Sequence, residues 1–392
     1  MGQKIKNYSF VEKFKCLADK CEDTCCRGWG MQLDTVRKEL YEKEAPELMD
    51  AVTSGEADLI MKRDPKTDFC VKFKDGMCKI HEEKGDKFLG DACHFYPRAT
   101  RKFGDEIIMS AAISCPEIAR LTIFEDDAFK ITEREIERLP VEIKDYLPKG
   151  VTSDKALGVI EAIMKMVEDE SITPENAMAK VVVISNSLKN VSSDIWSDGI
   201  NMLIGMVESR MSVPENDYMD IYNILHTLAG LVHASKKTTR SNFEEIFKKM
   251  EEALGIEIKK DNLEIMVNVG QEDYPQKLLE LWNKKAKEQA KPILRRWILA
   301  QLALSSFPYS GFGKGVADIA TMMAVRFATV RLALMAHMDE KGNLPEERKI
   351  VKIVQSLSRF MDHLADPELS MNLYTQAGWT QERRIRSLVG DF

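Results

Sequence analysis

Cysteines are the residues of this chain whose types and spacing most clearly point to chemistry. Four stand close together near the start in the pattern C-x4-C-x3-C-C, and four more follow singly. The eight are Cys16, Cys21, Cys25, Cys26, Cys70, Cys78, Cys93 and Cys115. No cysteine occurs after Cys115 in a chain of 392 residues. Thiols concentrated in this way are typical of a disulfide framework or of a metal site.

The chain as a whole favours metal over disulfides. Its first residues, MGQKIKNYSFVEKF, are polar and lack the apolar segment of an export signal. We therefore expect a cytoplasmic protein, and in that compartment glutathione and thioredoxin keep thiols reduced. Clustered cysteines in a reducing compartment predict a metal site. Structural or redox-active thiols are the alternative.

The spacing leaves the identity of the metal open. Zinc and iron–sulfur clusters are both bound by four thiolates, so all eight cysteines are candidate ligands for one site with spares or for two sites. His81 follows Cys78 closely and His94 follows Cys93 directly. We expect these histidines to lie at the surface or to hydrogen-bond to the site, with ligation as the alternative.

Short β-hairpins and helices should position the cysteines. The segment FCVKFKDGMCKI alternates apolar and polar residues about Asp75-Gly76, which predicts a hairpin with Cys70 and Cys78 on facing strands. A second hairpin is predicted about Gly104-Asp105. An apolar stripe over residues 33–61 predicts a helix that begins at Asp34.

Three helix starts carry further predictions. Cys115-Pro116 should begin a helix, where backbone N–H groups favour a thiolate. The capping-box pattern occurs at Thr132–Glu135 and again at Ser241–Glu244. Helical periodicity then covers segments near 155–170, 174–189, 195–210, 215–235, 242–254, 275–290, 292–306, 315–338 and 345–364.

The predicted fold class follows from this division of patterns. We expect a mainly α protein with a small N-terminal cysteine-cluster domain (1–130), which contains short β-hairpins and holds a metal or an iron–sulfur cluster. An irregular all-helical domain (131–392) should follow it, with a linker near residues 125–150. The segment 315–338 carries Asp318, Arg326 and Arg331, charges that would be costly in lipid, so it should be a core helix and not a membrane span.

Two arginines on an apolar helix and a glycine-rich loop offer weaker signals. Arg326 and Arg331 need anionic partners if they are buried, and an internal Asp or Glu is the expected one, with a substrate carboxylate as the alternative. The loop Gly311–Gly315 precedes a helix and could bind a phosphate or a carboxylate. Since no strand precedes this loop, we interpret it as a helix start.

Composition excludes some classes of partner. The net charge is -7, with 44% hydrophobic and 30% charged residues, which is typical of an ordinary globular protein. Neither the part up to Cys115 nor the remainder carries the basic excess of a nucleic-acid binder. We therefore expect no nucleic-acid partner and no membrane partner.

The segments that carry the cysteines resemble the flagellin lysine-N-methylase family, within a broader group of cysteine-cluster proteins described as chelators of zinc or iron. The similar segments are CEDTCCRGW (21–29), FCVKFKDGMCKIHEEKGDKFL (69–89), ACHFYPR (92–98) and SCPEIARL (114–121). All eight cysteines fall on the family pattern, and the resemblance spans residues 8–125. Over residues 130–392 it consists of similar length and helical character.

The resemblance implies a soluble bacterial enzyme with an iron–sulfur cluster of the four-iron (4Fe-4S) type. It would transfer a methyl group from S-adenosylmethionine to lysine Nε of flagellin. The lysine must be deprotonated, so a nearby carboxylate or tyrosine, or simple desolvation, should lower its pKa or take its proton. Tyr96, Glu117 and Asp23 in the matched motifs are the candidate catalytic residues. The sequence has no usual S-adenosylmethionine-binding loop after a strand, so the donor site has no predicted place.

A function from another class stays open beside this one. The chain could be a non-enzymatic metal- or iron–sulfur-binding protein: a carrier, a redox sensor or a zinc-stabilised interaction module. A methyltransferase should bind S-adenosylmethionine and keep its cluster through turnover. A carrier should release its metal to an acceptor and transfer no methyl group.

Overall fold

The protein is mainly helical, as the sequence predicts. The computed structural model describes residues 2–55, 58–210, 218–235, 241–259, 261–309 and 315–390. The strands are β1 (Gln3–Tyr8), β2 (Val52–Ser54), β3 (Leu59–Met61), β4 (Phe73–Lys74), β5 (Met77–Cys78), β6 (Arg98–Phe103), β7 (Glu106–Ala111), β8 (Ile131–Ile136), β9 (Ile256–Ile258) and β10 (Ile265–Val267).

Helices make up most of the rest of the described chain. In the first half they are α1 (Ser9–Lys13), α2 (Thr35–Glu44), α3 (Lys79–Lys84), α4 (Asp91–Phe95), α5 (Pro116–Phe124), α6 (Ser153–Glu168) and α7 (Pro174–Leu188). In the second half they are α8 (Trp196–Arg210), α9 (Tyr218–Ser235), α10 (Ser241–Leu254), α11 (Tyr274–Leu281), α12 (Lys287–Ser305), α13 (Val316–Ala336), α14 (Glu347–Arg359), α15 (Pro367–Gln376) and α16 (Glu382–Val389). Two π-helical turns, Trp282–Ala286 and Phe360–Leu364, continue α11 and α14.

The largest sheet joins distant parts of the chain. Its strand order is β6-β7-β1-β8, with β1 parallel to β7 and antiparallel to β8. Thr132 lies in β8 opposite Asn7, so the capping-box prediction at Thr132–Glu135 is wrong. Cross-strand pairing with β1 and a hydrogen bond from Asn7 Nδ2 to Thr132 Oγ1 (3.0 Å) hold this segment extended. The other capping box, at Ser241, does mark the start of a helix, α10.

One large hydrophobic core connects this sheet to the helices. It includes residues of β1 and β7, such as Ile5 and Met109, together with buried residues of α6, α7 and α12. Helix α13 lies at its centre and packs against α7, α10, α12, α14 and α16. This helix is long and apolar enough to cross a membrane, yet its apolar window is entirely buried inside the protein, which confirms the predicted core helix.

A second, smaller hydrophobic core accompanies the cysteines. It is formed by residues between Met31 and Leu89, including Tyr41 and Ile80. Cys25, Cys70, Cys78 and Cys93 are partly buried against it. Because β1 and β6–β7 belong to the large sheet, the segment between α1 and β6 leaves that sheet and returns to it. We call residues 16–95 the cysteine excursion.

Several local predictions within the excursion are confirmed, and one is wrong. The turn at Asp75-Gly76 has positive φ at both residues (54° and 78°) and joins β4 to β5. Asp34 begins α2, with its Oδ1 accepting from Arg37 N at 2.9 Å. However, the predicted helix over 33–61 ends at Glu44, and a 3₁₀ turn and the β2–β3 hairpin follow. Val52, Leu59 and Met61 favour the hairpin because alternate residues reach the small core.

The hairpin prediction for Cys70 is only partly right. Cys78 lies in β5 opposite Phe73, whereas Cys70 precedes β4 and forms an isolated bridge with Arg63. The hairpin about Gly104-Asp105 is confirmed as β6–β7. Pro116 begins α5 with Cys115 as its N-cap, as predicted.

The helical region differs from expectation in a few elements. The predicted helices near 155–170, 174–189 and 195–210 are α6, α7 and α8, and threonine N-caps hold the first two. The β9–β10 hairpin and the helices α15 and α16 lie outside the predicted segments. Residues 311–314 of the glycine-rich loop lie outside the described residues, and Gly315 is the N-cap of α13.

Candidate functional site

Seven of the eight cysteines line one cavity of about 170 Å³ in the excursion. They are Cys16, Cys21, Cys25, Cys26, Cys70, Cys78 and Cys93. His81, exposed as predicted, also borders this cavity, and Tyr41, Leu33 and Ile80 complete part of its wall. Four separate chain segments therefore bring their thiols to a common space.

Local hydrogen bonds hold those segments together. The backbone N–H of Cys70 donates to the carbonyl of Cys26 (2.8 Å), which places the second segment against the first. Asp34 accepts from Asp91 N at 2.8 Å, which fixes α4, the helix that carries Cys93. The side chain of His94, the residue after Cys93, lies against Asp86, with 2.7 Å between Nδ1 and Oδ1.

Burial makes these thiols hard to ionise. It raises the pKa of Cys21 to about 11 and also raises the pKa of Cys70 and Cys93. The pKa of Cys26 is raised first by a hydrogen bond with Cys25 and then by burial. A positive centre among the thiols would reverse this effect, since coordination deprotonates a thiol outright.

The seven cysteine sulfurs that line the cavity are chemically suited to bind a metal centre as thiolates. Across the described ranges, no three His, Cys, Asp or Glu side chains stand together as a group that could hold a metal ion. The structure therefore shows converging thiols and not a formed metal site. Seven sulfur donors around one cavity are nevertheless the ligand type that zinc and iron–sulfur clusters take.

Cys115 stands apart from the other seven. It does not line the cavity and instead caps α5, where hydrogen bonds from the backbone of Ile118 and Glu117 lower its pKa. Burial outweighs these bonds and raises the pKa of Cys115 to about 12. The backbone N–H groups at this helix start therefore favour the thiolate, as expected, but they do not offset the burial of the thiol.

A polar network lies beside the cysteine excursion. Ser114 Oγ is 3.1 Å from the hydroxyl of Tyr96 and 2.8 Å from Nε2 of His363. The indole of Trp29 packs edge-on against both rings, with centroid distances of 5.1 Å to Tyr96 and 4.8 Å to His363. Gly28, with φ of 89°, lets the chain turn between the cysteine run and Trp29.

The two ring side chains of this network have different protonation preferences. Burial raises the pKa of Tyr96 well above its ordinary value, so its hydroxyl stays protonated. Burial also lowers the pKa of His363, Arg359 and Arg326 lower it further, and Asp362 opposes them. As a whole residue His363 is nevertheless exposed, although its ring packs against Trp29 and hydrogen-bonds Ser114.

His363 owes its position to a π-helical turn, Phe360–Leu364, at the end of α14. Such a turn inserts one residue into the helical register and is frequent at functional sites. Immediately before it, the Arg359 guanidinium lies 4.0 Å from the ring centre of Trp29 and donates to the carbonyl of Arg27 (2.7 Å). The turn and the cysteine run are thereby held in contact.

Asp23 extends the network to a second point on α14. Its Oδ2 lies 3.3 Å from Arg359 Nη1 and accepts from Gln355 Nε2 at 2.8 Å. Gln355 also donates to the carbonyl of Ser114 (2.9 Å). Asp23 and Tyr96 are therefore linked through Ser114 and Gln355.

The structure brings together two of the three catalytic candidates. Tyr96 and Asp23 belong to the network, whereas Glu117 forms an ion pair with Arg120, which also pairs with Glu22 (2.6 Å). Catalytic roles for all three stay predictions. Sequence reasoning missed His363, because nothing in the local pattern FMDHL marks a π turn.

Most of the helical half of the chain matches a known protein family. The model of the FliB lysine N-methylase C-terminal domain matches residues 160–373, which include the π turn with His363. A lysine-N-methylase of Salmonella typhimurium is 27% identical over 145 residues, which is 33% of this chain and 34% of that protein. A lysine-N-methylase of Salmonella choleraesuis is 27% identical over 143 residues, with the same coverage.

A further relative has a flagellar name. Flagellar biosynthetic protein FliU of Salmonella muenchen is 27% identical over 140 residues, which is 32% of this chain and 80% of that protein. The chain spans about a third of the length of the two lysine-N-methylases. No solved structure matches. The family model covers the region where similar length and helical character were the only resemblance in the sequence.

Proposed function

The chain belongs to the FliB lysine N-methylase family, and from this premise we propose that it is a protein-lysine N-methyltransferase acting on flagellin with S-adenosylmethionine as methyl donor. The observation that carries the proposal is the family match over residues 160–373, which contains Gln355, Arg359 and His363 of the network. The flagellar name of one relative supports flagellin as the substrate. The proposed location is the cytoplasm.

Methyl transfer to lysine sets a clear demand on the site. The lone pair of lysine Nε forms the new N–C bond while the C–S bond of the sulfonium breaks and its electron pair stays on sulfur. S-adenosylhomocysteine leaves, and the acceptor lysine must have lost its ammonium proton before transfer, because only the free amine has a lone pair. A general base near the acceptor is therefore required, and its pKa should lie near or below the working pH.

His363 is the group best suited to take that proton. The residue lies at the surface, its lowered pKa keeps the imidazole neutral, and Ser114 orients one ring nitrogen. Tyr96, whose hydroxyl stays protonated, positions Ser114 and packs against Trp29. Asp23 acts further away, through Gln355 and Arg359.

The cysteine cavity is the proposed site of a metal centre, with an iron–sulfur cluster of the 4Fe-4S type as the first choice and zinc as the alternative. The thiols that would hold it are among the seven that line the cavity. When bound, such a centre supplies positive charge that stabilises thiolates and cross-links the segments of the excursion. Trp29 and Arg359 connect these segments to His363.

A non-enzymatic role is the second candidate, favoured by the convergence of seven thiols in one cavity. A carrier or redox sensor needs the cavity alone and has no use for a base beside it. A zinc-stabilised interaction module would hold zinc and stay colourless. Release of iron to an acceptor protein without methyl transfer would favour the carrier.

One experiment tests the proposed function directly. The protein is purified anaerobically, its iron, zinc and acid-labile sulfide are measured, and it is incubated with flagellin and S-adenosylmethionine. Mass spectrometry of flagellin peptides should locate methyl groups on lysine side chains. The control is the His363→Gln variant with the same metal content. Unmodified flagellin after incubation with the metal-loaded protein would exclude the proposal.

A further inference from the structure

A groove of about 710 Å³ runs along α6, and neither His363 nor Ser114 lines it. One side is a face of α6 from Leu157 to Glu168, and residues 126–131 lie on the other. The large sheet contributes Tyr8 of β1 and Ile108 of β7. At the rise of an α-helix this stretch of α6 is ~16 Å long, which matches about five residues of an extended chain.

The groove offers apolar surface along this length. Ile131 is 47% exposed, and Phe129 and Leu157 are partly buried within the same lining. Ile160 and Met164 of α6 lie beneath them and are buried. Such surface suits the aliphatic stem of a lysine, whose charged head then reaches a polar group at the edge.

Most charged side chains in the lining already have partners. Ion pairs join Arg296 to Asp126 (2.6 Å) and Lys165 to Glu161 (2.8 Å). The other paired groups are Lys6 with Glu106, Asp127 with Lys13, and Arg295 with the backbone carbonyls of residues 167, 169 and 172. These charges are therefore compensated without a ligand.

Two carboxylates at the end of α6 are not compensated in this way. Glu168 and Glu170 line the groove, and neither forms a hydrogen bond or an ion pair with any residue that the structure describes. Lys130 is the one lining base in the same condition across those residues. Burial raises the pKa of Glu168, so its charge is held partly away from water and would be stabilised by a cation.

The strand that begins at Ile131 continues the acidic surface beside the groove. This strand, β8, is an outer strand of the large sheet, and no strand in the described part of the chain pairs with its far side. Because side chains alternate along a strand, Glu133 and Glu135 share the face of Ile131, and both are exposed. Glu133 pairs with Lys4 (2.5 Å), whereas Glu135 has no ion pair within the described ranges. Open backbone groups on an outer strand can bind an extended chain.

We propose that this groove docks an extended, lysine-bearing segment of the protein substrate, which pairs with the outer edge of β8 and places a lysine ammonium against Glu168. The inference rests on the proposed function, which makes a lysine-containing protein the substrate. A small anion would meet unpaired carboxylates, and a small cation would leave the apolar surface and the edge of β8 uncovered. Because His363 does not line the groove, the docked lysine is distinct from the lysine that is methylated.

Peptide binding to the anaerobically purified, metal-loaded protein tests the groove without requiring turnover. The probe is a capped, fluorescein-labelled peptide of alternating lysine and threonine, and fluorescence anisotropy measures its binding. Glu168→Gln should weaken binding about threefold, as expected for a partly exposed ion pair, and Glu168→Lys about tenfold, since it adds repulsion. Glu168 is exposed as a residue, so both variants should fold.

Matched controls separate docking from general charge attraction. Glu340 is also exposed and does not line the groove, so Glu340→Lys should bind the peptide like the unaltered protein. Acetylation of the peptide lysines removes their charge and keeps their stems, and methylation of alternate backbone nitrogens blocks strand pairing. Each change to the peptide should weaken binding at least fivefold. Spermidine, a cation without a backbone to pair, should bind more weakly than the peptide.

Three results would overturn the inference: no peptide binding by the unaltered protein, binding by Glu168→Lys within twofold of it, or spermidine binding as tight as that of the peptide. Flagellin methylation is scored separately, and Glu168→Lys should raise the KM for flagellin about tenfold, a larger change than in kcat. Methylation with an unchanged KM would exclude the docking site and leave the proposed function standing. Unmodified flagellin together with peptide binding that depends on Glu168 would exclude the proposed function and support the groove as a site for basic segments.

Discussion

Ser114 Oγ lies 2.8 Å from His363 Nε2, a contact between residues 249 positions apart in the chain. Ser114 lies shortly after β7, which ends at Ala111, and His363 lies in the π turn after α14. The contact therefore connects the sheet beside the cysteine excursion to the region matched by the family model. A substitution on either side should alter the behaviour of the other.

Replacing His363 by glutamine should slow methyl transfer about 10²- to 10⁴-fold, the usual loss when a general base is removed. In the unaltered protein the rate should fall as pH falls through the pKa of His363, which lies below the ordinary value of about 6.5. Below that pKa the imidazole is protonated and cannot accept the lysine proton. Single-turnover rates across the pH range measure both effects.

The variant should lose this acidic limb because glutamine does not titrate. Charged groups that face His363 are Asp362, Arg359 and Arg326, and they should set the midpoint of the limb. An acidic limb that persists unchanged in His363→Gln would assign it to another group.

Tyr96→Phe should have a smaller effect than His363→Gln. It removes a hydroxyl that hydrogen-bonds Ser114, a loss of about 1 kcal/mol or roughly fivefold in rate. The pH profile should keep its shape, since burial keeps the Tyr96 hydroxyl protonated through the working range. A loss of more than about a hundredfold with a changed profile would make Tyr96 the base.

Serine substitutions should separate the cavity cysteines from Cys115. Cys93→Ser should lower metal content and the free energy of unfolding together, because binding energy is folding energy at such sites. Cys115→Ser should keep its metal, since Cys115 does not line the cavity. Metal and sulfide analysis of both variants, purified side by side without oxygen, measures the difference. Equal metal loss in the two would place Cys115 among the ligands.

Asp23→Asn should weaken the attachment of the excursion to α14. It leaves the guanidinium of Arg359, whose side chain is 3% exposed, without its carboxylate, which costs about 3 kcal/mol. Urea unfolding of the metal-loaded protein measures this loss, and metal should be released at lower urea. Glu42→Gln breaks the exposed ion pair with Lys38 and should cost less than about 0.5 kcal/mol. Equal losses in the two variants would show that the Asp23 pair is not stabilising.

Glu245→Gln should lower stability in a pH-dependent way. Hydrogen bonds from Lys349 and Lys352 lower the pKa of Glu245 to about 2, so its contribution is complete above its unfolded pKa of about 4.3 and is lost as pH falls toward 2. The side chain is 52% exposed, which limits the contribution to about 1 kcal/mol.

Urea unfolding of the unaltered protein and of Glu245→Gln at several pH values checks this prediction. The difference between them should be largest near neutral pH and should shrink below about pH 4. The exposed Glu340 offers a control, because Glu340→Gln should give no such trend. A difference that grows on acidification would contradict the assigned sign.

Local patterns predicted the parts of the fold that depend on local chemistry. Asp75-Gly76 specifies its turn because both residues tolerate positive φ, and Asp34 caps α2 with its own side chain. Arg326 has an internal acidic partner, as predicted, because a guanidinium on a buried helix must be paired. The convergence of cysteines agrees with their clustering in the sequence, and the bound metal stays a prediction.

Long-range pairing decided what the sequence did not reveal. Thr132 carries a capping pattern, yet its strand β8 pairs with β1, which lies at Gln3–Tyr8, and this pairing overrides the pattern. His363 becomes notable only through Ser114 and Trp29, which are distant in sequence. The buried ion pair of Arg326 with Asp362 likewise results from packing, which no local window contains.

The cysteine excursion begins and ends on the same sheet, since β1 precedes it and β6 follows it. In topological terms it is a closed loop on that sheet. The backbone does not pass from it directly into the later helices, α6 to α16. Metal binding by the thiols would therefore act on His363 through side-chain contacts, among them those of Trp29 and Arg359 and the hydrogen bond between Asp23 and Gln355. A chain cut within the loop would leave both ends of the loop anchored in the sheet. The two fragments should therefore stay associated, while the effect of metal binding on His363 is lost.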